Sequence, residues 1–219
     1  MHEKEQLQRS WVANASAWRD AVRERKIATR RIATDAAIIN TVLSLQPRRA
    51  LDLGCGEGWL ARTLTAQGID VVGIDASAPL IESAKELGGG SFRALSYDEA
   101  SNLDEQPFDV AVVNFAILDD DMQPLLAAAA KLLKDDGTLI IQTTHPAFLD
   151  GDYADGWRTE TFAAVEGEWK EAMPWYFRTL ATWTRDLTRG GFTVQEIREP
   201  AGDASSRPLS IIFVCRKAS

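Results

Sequence analysis

From Ala50 onward, short apolar runs alternate with stretches of helical spacing along this 219-residue chain. The runs ALDLG (50–54), DVVGID (70–75), FRAL (92–95), FDVAVVNF (108–115) and TLIIQTT (138–144) have the length and the β-branched and aromatic content of strands. Helical patterns lie between them, near Trp59–Gln67, Pro79–Leu87 and Met122–Lys134. Gly68, Gly88 to Gly90 and Gly137 fall where these elements should stop. Strands alternating with helices of this length predict an α/β fold, a doubly wound and mostly parallel sheet.

Both ends of the chain depart from that rhythm. Trp11, Ala15, Trp18 and Val22 recur at helical spacing, and so do Ile38, Val42 and Leu45 ahead of Pro47, which predicts two helices before the first strand. His145 to Trp175 is polar, glycine-punctuated and aromatic with no clean period, and reads as an insertion after the fifth strand. A helix is expected near Tyr176–Thr188, stopping at Gly190 and Gly191. FTVQEI (192–197) and LSIIFVC (209–215), joined by a turn-rich stretch around Gly202–Pro208, then predict an antiparallel hairpin at one edge, making seven strands. The expected layout is one domain over 1–219: an N-terminal helical lid (1–47), a core (48–144), a substrate-side insertion (145–175), and a C-terminal helix with the edge hairpin (176–219).

Composition narrows the function. A hydrophobic content of 45% supports one sizeable core. Two cysteines, Cys55 and Cys215, make no disulfide framework, and MHEKEQLQRSW has no secretory apolar core, so a cytoplasmic home is expected. No apolar run approaches the ~18 residues of a membrane span, so a soluble protein with no membrane partner is expected. The net charge of −8 argues against a nucleic-acid partner. It is unevenly spread: residues 1–49 carry 10 Lys+Arg against 5 Asp+Glu, and the rest carries 14 against 27. The basic segment is either a solvated helical face or a lid near an anionic group.

The chemistry concentrates at LDLGCGEGW (51–59), where the first strand hands over to a helix. Glycine at 54, 56 and 58 costs backbone entropy, so the loop needs positive φ or bare backbone against a ligand. A dinucleotide fingerprint wants G-x-G-x-x-G, with a pyrophosphate on the helix N-terminus. Counted from Gly54, its third glycine is Trp59, and Glu57 adds a negative charge near the phosphates. An adenosine without phosphate fits better. Asp75 ends the second strand, where a carboxylate can accept from both ribose hydroxyls; the plainer reading is a helix cap before Pro79.

LDLGCGEG, VVGIDAS, FDVAVVNFAIL and LLKDDGTLIIQTTHP together resemble the motif series of the class I S-adenosylmethionine-dependent methyltransferases, over about Ala50 to Pro146. The resemblance implies a Rossmann-like methyltransferase fold and S-adenosyl-L-methionine as cofactor, with S-adenosyl-L-homocysteine as product. It implies that Gly54, Cys55 and Gly56 pass their backbone against the methionine part, Asp75 holds the ribose and Ala76 lies beside the adenine. Ser96 and Tyr97 fall where the family frames the adenine, although SYD stands in place of the usual Gly-Asp, which leaves Tyr97 and Asp98 as alternatives. Asn114 and Phe115 end the fourth strand on the sulfonium side. Asp52, inside the first strand, is expected to hydrogen-bond the loop amides, and Cys55 to act as a small filler.

Methyl transfer needs alignment, exclusion of water and sometimes a base. His145, just after the fifth strand, is the candidate base, or else a partner of the turn before Pro146. Trp18, Trp157, Trp175 and Tyr176, with Trp11, Tyr153 and Trp169, suggest an aromatic lid over a substrate pocket. Arg178 and Arg30 could each pair with an anionic group, Arg30 with the cofactor carboxylate, or with a neighbouring side chain. No metal is expected. The reading is methyl transfer to O, N or C of a small-molecule acceptor by a monomer or homodimer. A non-catalytic S-adenosylmethionine-binding regulator and a nicotinamide-dependent dehydrogenase are the alternatives.

Overall fold

The computed structural model describes residues 3–149, 151–203 and 206–218. In chain order its helices are α1 (Glu3–Ala13), α2 (Ala15–Arg23), α3 (Asp35–Ser44), α4 (Trp59–Thr65), α5 (Ala78–Leu87), α6 (Tyr97–Ala100), α7 (Gln123–Leu132) and α8 (Leu180–Arg189). Its strands are β1 (Arg49–Leu53), β2 (Asp70–Asp75), β3 (Ser91–Ala94), β4 (Phe108–Asn114), β5 (Leu133–Thr144), β6 (Gly156–Glu160), β7 (Met173–Phe177), β8 (Phe192–Arg198) and β9 (Ser210–Lys217). Seven form one sheet in the order β3-β2-β1-β4-β5-β9-β8. The first five are parallel, and β9 runs antiparallel between β5 and the edge strand β8.

Helices cover both faces of the sheet, which is why its strands read as nearly continuous apolar runs. On one face Ile38, Val42, Leu60, Leu64 and Ile81 pack with Val112 and Ile140. On the other, Leu126, Ala129, Trp183 and Leu187 pack with Val113, Ile141 and Phe213. Strand order reverses between β1 and β4, and ligands of open α/β sheets bind at the carboxyl ends beside such a reversal. The glycine loop leaves β1 there.

The remaining elements form a third apolar cluster. Leu7, Trp11 and Trp18 of α1 and α2 meet Trp157, Phe162, Trp169 and Met173 of the insertion. Trp18 stacks on Trp11 at 5.5 Å and meets Trp169 edge-on at 5.1 Å. The first expected helix is broken at Asn14, whose buried amide is needed elsewhere. Its Nδ2 donates to the Glu171 carbonyl at 2.7 Å, and its Oδ1 accepts from the Lys170 amide at 2.7 Å.

Three boundaries differ from the sequence reading. The insertion is ordered as the β6–β7 hairpin, in which Trp157 pairs with Tyr176 and Arg158 with Trp175. Tyr176 and Phe177 therefore belong to a strand, and the helix starts at Leu180, capped by Thr179 Oγ1 accepting from the Thr182 amide at 3.3 Å. Alternation over only five residues per strand is too short to have stood out. Gly137 does not stop an element; it lies within β5, where the pairing with β4 shifts register. Ala204 and Ser205 of the turn-rich connection lie outside the described residues.

Candidate functional site

The three loop glycines are required for different reasons. All have positive φ: +78° at Gly54, +56° at Gly56 and +81° at Gly58. A Cβ on Gly54 would lie 2.3 Å from Ala116 Cβ and 2.8 Å from the Tyr97 hydroxyl, and one on Gly58 would lie 2.8 Å from Phe92. A Cβ on Gly56 would meet nothing within 4 Å. Gly54 and Gly58 are packed, whereas Gly56 presents bare backbone to open space.

The loop's amides are already used. Gly54 and Cys55 both donate to the Ile74 carbonyl, at 2.8 and 2.9 Å, and Gly56 donates to Asp75 Oδ2 at 2.9 Å. The other Asp75 oxygen accepts from the Ser77 amide at 2.8 Å. Asp75 thus ties the loop to the tip of β2, and the cap before α5 is Ser77. A carboxylate has about four acceptor positions, so Asp75 keeps capacity for two more donors. Burial raises its pKa, with the two amides opposing.

Asp52 does not bond the loop amides as expected, because Ile74 and Asp75 take them. It is 2% exposed and its Oδ2 has no hydrogen-bond partner among the described residues. Burial, with the Asp75 charge adding to it, pushes its pKa up to about 7. An orphaned carboxylate oxygen on the strand that leads into the glycine loop calls for a cationic or strongly donating ligand group. Asn114, at the tip of β4, likewise has an unpartnered buried Oδ1. Phe115, next to it, holds φ +54°, uncommon for an aromatic residue and of the kind that clusters at ligand sites.

Of the SYD alternatives, Tyr97 reaches the loop. Its hydroxyl donates to the Ala116 carbonyl at 3.0 Å, and burial raises its pKa. Asp98 is exposed. The Ser96 side chain is engaged in a capping box with Glu99, accepting from the Glu99 amide and donating to its carboxylate. Ala76 is exposed beyond the tip of β2. Cys55 is buried, its thiol pushed up by burial, and a Cβ on Gly73 would lie 2.9 Å from its sulfur. It fills space under the loop.

Glu57 does not project its charge toward a ligand. It is 2% exposed and clamped between Arg62, at 2.6 Å to each oxygen, and Arg23 of α2 at 3.1 Å. Arg23 also donates to Ser83 on α5, at 3.1 Å to its hydroxyl. The N-terminal helices are thereby fastened to the glycine loop, a link that sequence spacing gave no sign of. Arg30 stacks over Trp59 at 4.3 Å and pairs with Asp35 at 2.7 Å. The basic segment meets the loop through Arg23 and Arg30.

Two side chains expected on the substrate side are engaged within the protein. Both ring nitrogens of His145 are engaged: Nδ1 accepts from the Ala147 amide at 3.2 Å and Nε2 lies 2.8 Å from Glu199. The residue is 3% exposed, and the plainer reading, a partner for its own turn, is the one observed. Arg178 is buried rather than open to substrate. It donates to the Asp119 carbonyl at 2.5 Å, faces Asp186 at 3.6 Å, and lies against the rings of Tyr176 and Trp183. Burial lowers its pKa. Trp157 and Tyr176 pack edge-on at 5.6 Å, and Trp175 lies near Phe177 at 6.2 Å. The hairpin adjoins the tip of β4, because the Tyr176 amide donates to the Leu118 carbonyl at 2.8 Å.

Sheet order, a glycine loop at the β1–β4 reversal and a carboxylate at the tip of β2 define the fold of the class I S-adenosylmethionine-dependent methyltransferases. A family model described as "Methyltransferase domain" matches residues 22–197, and the chain belongs to that family. It is 32% identical over 158 residues to an uncharacterized methyltransferase of Schizosaccharomyces pombe, covering 67% of this chain and 60% of that one. It is 29% identical over 149 residues to a ubiquinone biosynthesis O-methyltransferase of Rhodopseudomonas palustris, covering 66% and 54%. The chain thus spans less than two thirds of these two curated relatives. Among solved structures, 1,6-didemethyltoxoflavin-N1-methyltransferase of Burkholderia thailandensis, bound to 1,6-didemethyltoxoflavin and S-adenosylhomocysteine, superposes with a TM-score of 0.68. It covers 100% of this chain and 92% of that one at 21% identity, a likeness of fold. No helix among the described residues is long and apolar enough to cross a membrane.

Proposed function

We propose that this protein transfers a methyl group from S-adenosylmethionine to a small-molecule acceptor at the carboxyl ends of β1 and β4. The observation that carries the reading is an orphaned, buried Asp52 oxygen on β1 together with the open space at Gly56 in the loop that follows, a loop that Asp75 ties to the tip of β2. Asp75 would hold the ribose hydroxyls, the Gly54–Gly56 backbone would shape the amino-acid end, and Asp52 would answer the ammonium of that end. Tyr97, Ala76 and Ser96 would border the adenine, Ser96 through its main chain. Asn114 and Phe115 would border the reacting side. Arg30, already paired with Asp35, would act through Trp59 rather than by gripping the cofactor carboxylate.

Held by Asp75, Asp52 and the Gly54–Gly56 backbone, S-adenosylmethionine would supply an electrophilic methyl group for an acceptor lone pair, leaving S-adenosylhomocysteine, with the acceptor's proton lost to solvent. The chain's own contribution is positioning and exclusion of water. The aromatic cluster of Trp18, Phe162 and Trp169, latched by Asn14, supports a lid made of the N-terminal helices and the β6–β7 hairpin. No side chain need act as base, in keeping with the engagement of His145.

Titration calorimetry tests the cofactor assignment. S-adenosylhomocysteine should bind saturably, and NADH, whose pyrophosphate would meet Trp59, should not. The reverse result would make the protein a nicotinamide enzyme. Saturable binding with no label transferred from methyl-labelled S-adenosylmethionine to a broad panel of small acceptors would favour the regulatory alternative.

A further inference from the structure

A cavity of about 350 Å³ opens at the amino ends of β1, β4 and β5, the far end of these strands from the glycine loop. Asp109 at this end of β4 and Asn114 at the other are about 16 Å apart at the rise of a strand, so the two openings are separate. The cavity floor is a row of register partners. Val110, Thr138 and Arg216 lie side by side on β4, β5 and β9, so their side chains leave the same face of the sheet. The other wall is the turn that leaves α3. Gln46 takes φ +49° there, its amide donating to the Leu43 carbonyl at 3.0 Å, in a left-handed position that usually carries glycine or asparagine. Leu45 and Pro47, on either side of it, make that wall partly apolar.

Five charged side chains line the cavity, Arg48, Lys134 and Arg216 against Asp109 and Asp136, a local balance of +1 in a chain of net charge −8. Asp109 is fully used. Its Oδ2 accepts from the Arg48 and Arg49 amides, each at 2.8 Å, and its Oδ1 from Lys134 Nζ at 2.5 Å. The acid placed to neutralise a guanidinium is therefore taken, and Asp136 is exposed with no ion pair among the described residues. Neither the Arg48 nor the Arg216 side chain has a hydrogen bond or ion pair among the described residues. Thr138 is 3% exposed, yet its hydroxyl has no partner among them either. Two guanidinium forks and a hydroxyl border one cavity with their donors unused.

We propose that this cavity is a second binding site, for the phosphate monoester of a small organic molecule. A phosphate ester presents three terminal oxygens, and Arg48, Arg216 and Thr138 supply the donors for them. β1 and β9 stand three strand spacings apart, about 14 Å, with the cavity between them, so the two arginines close on a ligand from opposite sides. The volume lies at the lower end of small-molecule sites and exceeds what a bare phosphate fills; Leu45 and Pro47 cover the organic part. The site is independent of the methyltransferase reading, whose cleft lies at the other end of the strands.

The test titrates phenyl phosphate, benzoate, phenol and inorganic phosphate into the unaltered protein, read by calorimetry and by the side-chain Nε–H NMR signals of Arg48 and Arg216. Phenyl phosphate should bind saturably, about tenfold or more tightly than benzoate or phenol and about fivefold more tightly than inorganic phosphate, and should move both arginine signals. Arg48→Gln and Arg216→Gln should each weaken it about tenfold, and Thr138→Val, which keeps the shape, about threefold. Both arginines are exposed, so their exchange leaves the fold intact. No saturable binding, equal affinity for phenyl phosphate and benzoate, unmoved arginine signals, or unchanged affinity in either arginine variant overturns the site. Inorganic phosphate binding as tightly as the ester overturns the assignment of an organic phosphate.

Discussion

Replacing Asp52 with Asn should stabilise the ligand-free protein at pH 8 and weaken its cofactor complex, two effects of opposite sign from one atom. The Asp52 carboxyl titrates at 3.8 in an unfolded chain and near 7 in the fold, because burial and the Asp75 charge disfavour its ionised form. Between those values the unfolded chain has released the proton and the fold retains it. Stability from this group is therefore present below pH 4 and falls by about 1.4 kcal/mol per pH unit up to about pH 7. The full loss is about 4 kcal/mol. Asparagine recovers only part, since its own amide stays underbonded. A gain of about 1–2 kcal/mol, or roughly 2–8 °C in Tm, is expected at pH 8, shrinking toward zero near pH 4. Differential scanning calorimetry across that range measures it. Affinity for S-adenosylhomocysteine should fall about 10- to 100-fold in the variant, the loss of a charged hydrogen bond. In the unaltered protein affinity should weaken by up to tenfold per unit below about pH 7, because binding must expel the Asp52 proton. A Tm lowered equally at pH 4 and pH 8 would refute the reasoning.

The remaining expectations follow from the same contacts. Asp75→Ala should weaken S-adenosylhomocysteine binding by about 1–3 kcal/mol in calorimetry and speed amide exchange at Gly56, whose N–H loses its acceptor; an unchanged affinity removes the ribose role. Gly54→Ala, which drives a methyl into Ala116, should cost about 3 kcal/mol or more in denaturant unfolding, whereas Gly56→Ala should cost about 1 kcal/mol of backbone strain yet still impair cofactor binding. Equal costs would contradict the division of labour among the glycines. Arg23→Ala should lower Tm by roughly 2–8 °C and raise proteolysis of residues 3–23, because Glu57 loses one of its two partners and α2 its anchor. His145→Gln should leave methyl transfer within about threefold, a general base being worth about 100-fold or more; a larger loss would restore the catalytic role.

The parallel core was legible because both faces of β1, β2, β4 and β5 are covered, so their apolar runs stand out and the helices between them keep a regular spacing. The glycine loop and Asp75 were legible for a related reason, since each sits at the end of a run whose direction the alternation fixes. What stayed hidden depends on contacts distant in sequence. Asn14 breaks a helix to bond Lys170 and Glu171, and Glu57 is neutralised by arginines from two different helices. Nothing local marks either one. His145 and Arg178 are the converse case, since a titratable side chain at a strand end looks available until its partners, Glu199 and Asp119, are placed.

The most direct test of the central claim is a crystal structure of the protein grown with S-adenosylhomocysteine. Both ribose hydroxyls should lie within hydrogen-bonding distance of Asp75, and the amino group should reach Asp52 Oδ2 across the open face of Gly56. Density for the ligand elsewhere, with Asp52 still unpartnered and Asp75 bonded only to Gly56 and Ser77, would contradict the account.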